Sequence, residues 1–237
     1  FCGDSHAYML FRGIATSQEK FDKWVETQKQ PANITKENTE TFISYGDGKP
    51  RKLTEMEALG ERLFNGDPET IPQQLLEKGV TKNTIACVEC HQLNANPLPN
   101  WDKPNLNHLA ERTTIAAGWR NLNTKELKTW IQQPGKVKPG NRMWEIFATR
   151  YGIVDKNTTQ DLFNRKKTDA NAFHSFFTDK ESEAIAAFLL TLKDPDAEDW
   201  GKLYGKPIKS KKQEPATQDP NKVKVSKNNT KDKLAKN

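Results

Sequence analysis

Three residues that could hold a metal cofactor lie together near the middle of the chain, in the run Cys87-Val88-Glu89-Cys90-His91. A C-x-x-C-H run is typical of covalent attachment of a c-type haem, in which two thiols form thioethers with the haem vinyl groups and the imidazole ligates iron. A thioredoxin-like redox pair would need a βαβ pattern around it, and a structural zinc site would need a fourth ligand at short spacing. Neither pattern is visible, so the sequence predicts one covalent haem c.

A methionine is the expected ligand on the other side of the iron, because low-spin electron-transfer haems commonly take Met opposite His. The chain has three methionines. Met9 belongs to another candidate metal motif and Met56 lies in a predicted helix, which leaves Met143 in a turn-rich loop. A lone methionine is usually a core residue, but elimination and the loop context favour Met143 as ligand. His174 is the alternative.

A second set of candidate ligands lies at the beginning of the chain, where Cys2, His6 and Met9 are spaced C-x3-H-x2-M. A thiolate and a thioether beside an imidazole form a ligand set suited to copper. The alternative is that these are ordinary strand residues, with Met9 facing a core. We predict a partial copper site.

Two capping boxes predict the helices that would position the haem site. Thr54 with Glu57 begins a helix that continues to Phe64, and Thr178 with Glu181 begins an amphipathic helix near the end of the apolar part of the chain. Further helices are predicted at 18–29 and 124–133, and a strand at 7–17.

Composition divides the chain into four parts. Residues 1–30 have too few apolar residues to fold alone, 31–52 form a polar linker rich in Pro and Gly, and 53–195 form the haem domain. Residues 196–237 are a basic tail, disordered or ordered by a partner. Of the net charge of +6, eleven Lys against three acidic residues give 201–237 a local charge of +8. An anionic membrane surface or a solubilising role suits this tail better than nucleic acid.

The two motifs together resemble those of cytochrome c oxidase subunit II with a fused cytochrome c domain. Cys2-Gly3, His6, Met9 and the pair Phe21 and Trp24 match the end of its copper A site, and the run 108–143 resembles the fused cytochrome. The resemblance implies a mainly α chain: a class I cytochrome c-like helical domain after the last strand and helix of a cupredoxin-like domain. The other cysteine and histidine of copper A would precede residue 1, so residues outside this chain would complete that site.

The resemblance also implies the surroundings of the haem. A loop proline carbonyl accepts a hydrogen bond from the ligating histidine, and Pro104 is the first choice, with Pro99 second. Arg112 or Trp130 contacts a haem propionate; His108 could do so too, although a surface histidine is the favoured interpretation. The first and last helices cross where a glycine admits an aromatic side chain, which points to Gly60 and Phe64 against Ile185 and Phe188. The run 144–177 departs from the pattern and is interpreted as an insertion.

The implied function is electron transfer within a haem–copper oxidase, with no catalytic residue in this chain. A cytochrome or an upstream quinol-oxidising complex would reduce haem c, and the electron would pass to copper A and then to subunit I. The implied location is the outer face of an energy-transducing membrane, with attachment through partner subunits or a preceding segment, since no run of about 20 apolar residues is present. A free-standing monohaem carrier and a nitrous oxide reductase with a fused cytochrome are the alternatives.

Overall fold

The computed structural model describes residues 9–37, 40–44, 50–77, 79–83, 86–93, 103–138, 141, 143 and 177–194. Helices predominate over short strands in this part of the chain, and the cytochrome c-like and cupredoxin-like parts of the predicted fold class stay predictions. The helices are α1 (Gln18–Gln28), α2 (Glu55–Asn65), α3 (Gln73–Leu76), α4 (Thr124–Gln132), α5 (Pro134–Val137) and α6 (Asp179–Leu189). The strands are β1 (Ile34–Glu37), β2 (Glu40–Ser44), β3 (Pro50–Lys52), β4 (Thr114–Ile115) and β5 (Arg120–Asn121).

Both predicted capping boxes are confirmed, and they fix where α2 and α6 begin. The Thr54 hydroxyl accepts from the Glu57 N–H at 3.3 Å, and the Glu57 carboxylate accepts from the Thr54 N–H at 2.8 Å. Thr178 and Glu181 repeat this arrangement at the start of α6. Because the two reciprocal bonds satisfy N–H groups that no helical carbonyl reaches, each helix has a defined first turn. Gly66 ends α2 in the left-handed conformation, with φ of 69°.

The helices α2 and α6 cross at Gly60, as the sequence predicts. A Cβ atom at Gly60 would lie 1.9 Å from the Ala184 carbonyl oxygen, so only glycine allows the two backbones to approach this closely. One turn further along, the Phe64 and Phe188 rings pack with their centroids 5.8 Å apart and their planes tilted by 54°. Phe64 and Phe188 are both 1% exposed. This crossing is the centre of the apolar core.

The helix α4 closes the core on another side of α6. Leu127 of α4 is 3% exposed and belongs to the same apolar cluster as Phe188. On the surface, the Lys128 ammonium pairs with Asp179 and with Glu183, whose carboxylate is 3.5 Å away. These pairs join α4 to the acidic first turns of α6, where negative side chains also favour the helix dipole.

Residues 31–52, which their composition predicts to be a linker, contain three of the strands. β1, β2 and β3 form an antiparallel sheet in that order. Ile43 is fully buried, and the Thr41 hydroxyl donates to the Glu61 carboxylate of α2 at 2.9 Å. The composition does not reveal these strands, because they are stabilised by cross-strand bonds and by contact with α2. The division of the chain into domains stays a prediction.

The segment before α1 also differs from its prediction. Residues 9–17 lie in no strand, so the strand predicted at 7–17 is wrong over its described part. The helix predicted at 18–29 is confirmed as α1, which begins after the Ser17 cap and has no buried residue. The insertion up to residue 176 and the basic tail lie outside the described residues. Within the described part of the chain, no helix is long and apolar enough to span a membrane.

Candidate haem and metal centre

The Cys87–His91 run forms a single tight turn. Cys87–Glu89 is a 3-10 helix, and the Cys87 carbonyl accepts from the Cys90 N–H at 3.0 Å and from the His91 N–H at 2.8 Å. The turn contacts α2. Cys87 is buried, Cys90 and His91 are half-buried, and Val88 and Glu89 are exposed. Two thiols and one imidazole are thus held in one turn, which is the donor set for attaching a haem and ligating its iron.

The environment of Cys87 suits an uncharged sulfur. Burial, together with a smaller contribution from the neighbouring Cys90 thiol, raises the pKa of the Cys87 thiol to about 12. A redox-active C-x-x-C pair instead needs a cysteine with a lowered pKa, because the thiolate is the nucleophile. Thioether formation leaves the sulfur uncharged, which its burial favours. The chemistry of this turn therefore fits haem attachment better than thiol–disulfide exchange.

His91 is oriented by the backbone of a neighbouring loop. Its Nδ1 atom lies 3.0 Å from the Pro104 carbonyl oxygen. A carbonyl can only accept, so Nδ1 carries the proton and Nε2 keeps a free lone pair that can bind a metal. Burial lowers the pKa of His91 against the opposing effect of the Pro104 bond, and the Arg112 charge lowers it further. The ring is therefore neutral at pH 7, the form in which imidazole ligates metals.

The loop that supplies Pro104 is itself held in place by backbone bonds. The Leu106 N–H donates to the Gln92 carbonyl, one residue after His91, at 2.9 Å. The Arg112 guanidinium donates to the Asn105 carbonyl at 2.6 Å. Arg112 therefore supports the loop beside His91, and its contact with a haem propionate stays a prediction, as does that of the half-buried Trp130 on α4.

The other predicted ligands are only partly described. Met143 is half-buried, and its backbone N–H donates to Asn141 Oδ1 at 2.8 Å. Its ligation of iron stays a prediction. Met9 is 47% exposed. Cys2, His6, Pro99 and His174 lie outside the described residues. Within the described part, no three His, Cys, Asp or Glu side chains cluster so as to hold a metal ion.

A hairpin that the sequence analysis overlooked joins the Met9 segment to the rest of the molecule. β4 and β5 pair through a turn in which Ala116, Ala117 and Gly118 all have positive φ, of 53°, 56° and 76°. The Ala117 carbonyl accepts from the Leu10 N–H at 2.9 Å, and a Cβ at Gly118 would lie 2.6 Å from the Leu10 carbonyl oxygen. In the sequence, the signal for this turn is Gly118, because glycine commonly marks a turn between two short strands.

His108 corrects the prediction of a surface histidine. It is 7% exposed, and its ring contacts Glu111 and the Gln30 carbonyl. These partners come from its own turn and from the segment after α1, which is 78 residues away in sequence. Composition near His108 does not reveal the second partner, so burial of this ring could not be predicted locally.

Comparison with known proteins finds three relatives that share one name. No family model matches the chain. The chain is 28% identical over 161 residues to cytochrome c oxidase subunit 2 of Bacillus sp. (strain PS3), covering 68% of this chain and 35% of that relative. It is 28% identical over 150 residues to the protein of the same name from Bacillus subtilis, covering 60% and 31%. A third relative of that name, from Alkalihalophilus pseudofirmus, is 27% identical over 142 residues.

These three relatives carry the name of the family that the motifs resemble. The chain spans about a third of the length of the curated relatives it matches. The fused cytochrome c domain stays a prediction.

Proposed function

We propose that this chain is an electron-transfer part of subunit II of a haem–copper oxidase. It carries one covalent haem c on Cys87 and Cys90, with His91 and Met143 as the iron ligands. Electrons pass from a cytochrome donor, or from an upstream quinol-oxidising complex, through the haem to copper A and then to subunit I. The chain itself transfers electrons and performs no bond chemistry.

The observation that carries this proposal is the hydrogen bond between His91 Nδ1 and the Pro104 carbonyl, beside two cysteines in one turn. It leaves Nε2 as a lone-pair donor with a fixed ring orientation, which is what an axial ligand needs. The similarity to three proteins named cytochrome c oxidase subunit 2 supports the oxidase context.

Each residue of the turn has a separate part in holding the cofactor. The haem, when bound, supplies a centre that gains and loses one electron reversibly. Cys87 and Cys90 would attach it to the turn, and His91 would ligate its iron. The Pro104 carbonyl raises the basicity of the His91 ring through the Nδ1 proton. Met143 would supply a thioether ligand, which favours a higher reduction potential than a second histidine would.

The copper part of the proposal rests on Cys2, His6 and Met9 and on the resemblance of their spacing to copper A. Thiolate, imidazole and thioether are ligands that copper accepts. In this proposal, a further cysteine and histidine outside this chain complete the site. The complex lies on the outer face of an energy-transducing membrane, attached through subunit I, other subunits or a preceding segment.

The direct test is the haem and copper content of the protein purified with its native partners. We expect one covalent haem c per chain, two coppers, and haem-containing subunit I in the same complex. A haem c protein that is a copper-free monomer would instead establish a free-standing carrier. Copper beyond a dinuclear site, with no subunit I, would favour a nitrous oxide reductase.

Matched variants separate attachment from folding. Cys90→Ala should abolish attachment through two thioethers, whereas Glu89→Gln in the same exposed part of the turn should leave haem content unchanged. Met143→Ala should convert the iron to a species that binds external ligands, whereas Met56→Ala on α2 should not. Unaltered ligand exclusion in Met143→Ala would refute the assignment of that residue and direct the search to His174.

A further inference from the structure

The segment that carries Met9 is joined to the rest of the molecule at two ends of a cleft. α1 has no buried residue, and Phe11, in the segment before it, is 92% exposed. The cleft, of about 930 Å³, lies between this segment and residues 105–118. At one end, the Leu10 N–H donates to the Ala117 carbonyl. At the other end, after α1, a set of hydrogen bonds surrounds the buried Ala32.

We call this second attachment the junction; it joins the residues that follow α1 to the turn at 107–111 and to the residues after α6. The Ala32 N–H donates to Asn107 Oδ1 at 2.9 Å, and Asn107 Nδ2 donates to the Gln30 carbonyl at 3.0 Å. The Asn33 N–H donates to the Lys193 carbonyl at 3.2 Å. The junction consists of Gln28, Gln30, Ala32, Asn33, Asn107, His108, Glu111, Lys193 and Asp194.

His108 is the titratable ring at the centre of the junction. Its Nε2 lies 2.9 Å from the Gln30 carbonyl, and its Nδ1 lies 2.6 Å from the Glu111 carboxylate. A carbonyl only accepts hydrogen bonds, and an ionised carboxylate only accepts them too. Both ring nitrogens must therefore carry protons, which makes the ring an imidazolium. The His108 and Glu111 side chains are each 6% exposed, so this ion pair is well shielded from water.

Glu111 is held ionised by three donors. Besides His108, the Gln28 side chain donates to Oε2 at 2.7 Å and the Asp194 N–H donates to Oε1 at 2.7 Å. Burial raises the pKa of Glu111, but these bonds outweigh it and the pKa is lowered overall. One carboxylate thus joins α1, the turn at 109–111 and the segment after α6.

We propose that His108 is a positioning residue: as an imidazolium paired with Glu111, it fastens the Met9 segment to the part of the molecule that carries the Cys87–His91 turn, and this fastening loosens when the ring loses its proton. The inference rests on the proposed function only for its consequence, which is that the spacing of copper A and haem c depends on the junction. The neutral ring has one N–H, so it must give up either Glu111 or Gln30.

The direction of the pH dependence follows from the groups that face the ring. Burial would lower the pKa of His108, but the bond to Glu111, the bond to Gln30 and the charges of Glu111 and Asp194 raise it overall. On the side of α1, Gln28 Nε2 donates to the Glu111 carboxylate and the Gln30 carbonyl faces His108 Nε2, and both groups are uncharged. A raised pKa means that the attachment is fully present below pH 6.5 and is lost as the pH rises through the higher value of the folded protein.

The first test is nitrogen NMR of the histidine rings together with amide hydrogen exchange, on the full 237-residue chain carrying its haem. We expect the His108 ring to be doubly protonated at pH 6 and to titrate above pH 6.5. The Ala32 amide, which bonds to Asn107, should lose protection in the same pH range, beyond the increase that base catalysis gives every amide. Titration of His108 below pH 6.5, or titration without change at Ala32, would overturn the proposal.

A pair of matched variants tests the same point at fixed pH. Glu111→Gln removes the charge that holds His108 protonated, and should speed exchange at Ala32 by at least about tenfold while the rest of the core stays protected. The control is Glu126→Gln, which removes a carboxylate 3.6 Å from Arg120 and away from the junction. Equal exchange at Ala32 in both variants would refute the proposal. If Glu111→Gln does not fold, the pH titration of the unaltered chain decides.

The consequence for electron transfer is measured separately, in the copper-loaded complex. Glu111→Gln should slow electron transfer from haem to copper while leaving the reduction potential of the haem unchanged, and raising the pH should slow the unaltered protein in the same way. A complex without copper would refute the proposed function but would leave the NMR and exchange results intact. An unchanged rate in Glu111→Gln, with exchange at Ala32 faster, would refute the dependence of spacing on the junction.

Discussion

The crossing of α2 and α6 makes Gly60→Ala the most informative single substitution for the fold. The added Cβ would lie 1.9 Å from the Ala184 carbonyl oxygen and 2.4 Å from its carbonyl carbon, whereas ordinary contact begins at 3.4 Å. The two helices must therefore separate by about 1.5 Å, because backbone atoms cannot rotate aside as a side chain can. The same movement would part the rings of Phe64 and Phe188.

The expected cost follows from three contributions. Overpacking of a core costs about 1–3 kcal/mol, and contact with rigid backbone puts this case near the upper limit. Loss of the aromatic pair adds about 1 kcal/mol. Alanine gains about 1 kcal/mol over glycine in helix propensity. We therefore expect Gly60→Ala to lower the free energy of unfolding by about 3 kcal/mol.

Equilibrium unfolding in urea, followed by far-ultraviolet circular dichroism, measures this difference. Gly13→Ala is the matched control, because a Cβ at Gly13 would meet nothing within 4 Å, and its free energy of unfolding should stay within about 0.5 kcal/mol of the unaltered chain. A Gly60→Ala protein as stable as the Gly13→Ala protein would refute the close approach of the two helices.

Three further predictions concern the same core and its helix ends. Phe188→Ala should lower the free energy of unfolding by about 3–5 kcal/mol, because a large, 1% exposed ring leaves a cavity. Thr178→Ala should cost about 1 kcal/mol through loss of the α6 cap. Glu57 has a pKa lowered from 4.5, first by its bond to Arg51. Ionised Glu57 therefore stabilises the fold above pH 4.5, and this contribution is lost as the pH falls through the lower pKa of the folded protein. Glu57→Gln should reduce the dependence of the unfolding free energy on pH below 4.5.

Each of these three predictions has a result that would contradict it. A Phe188→Ala protein destabilised by less than about 1 kcal/mol would place that ring at the surface. No change in unfolding free energy for Thr178→Ala, with a normal cost for Thr54→Ala, would mean that only α2 depends on its capping box. An acid profile of Glu57→Gln that parallels the unaltered chain would assign the acid sensitivity to other carboxylates.

The helices could be predicted from the sequence because their ends depend on residues three or four positions apart. Thr54 with Glu57 and Thr178 with Glu181 carry the whole signal for the first turns of α2 and α6. The crossing at Gly60 could also be predicted, since a glycine inside an amphipathic helix lowers helix stability and is therefore expected where another backbone packs closely against it. The resemblance to a known family then indicated its partner helix.

The sheet and the junction could not be predicted from the sequence, because the residues that stabilise them are far apart along the chain. β1, β2 and β3 are short, and the Pro and Gly residues within 31–52 are typical of a linker. What stabilises them is pairing with each other and the contact of Thr41 with Glu61. The burial of His108 likewise depends on Gln30 and on Asp194, which no local pattern connects to it.

The distance along the chain between Gly60 and α6 also bears on the order in which the protein is made. α6 is synthesised roughly 120 residues after α2, so the core cannot close until almost all of residues 1–190 have emerged. Cys87, which is 7% exposed once the core has closed, is exposed for most of that time. At about 5–20 residues per second, the interval between its appearance and that of α6 lasts several seconds. Under the proposed function, both thiols are therefore open to haem attachment before the last helix closes the core over Cys87.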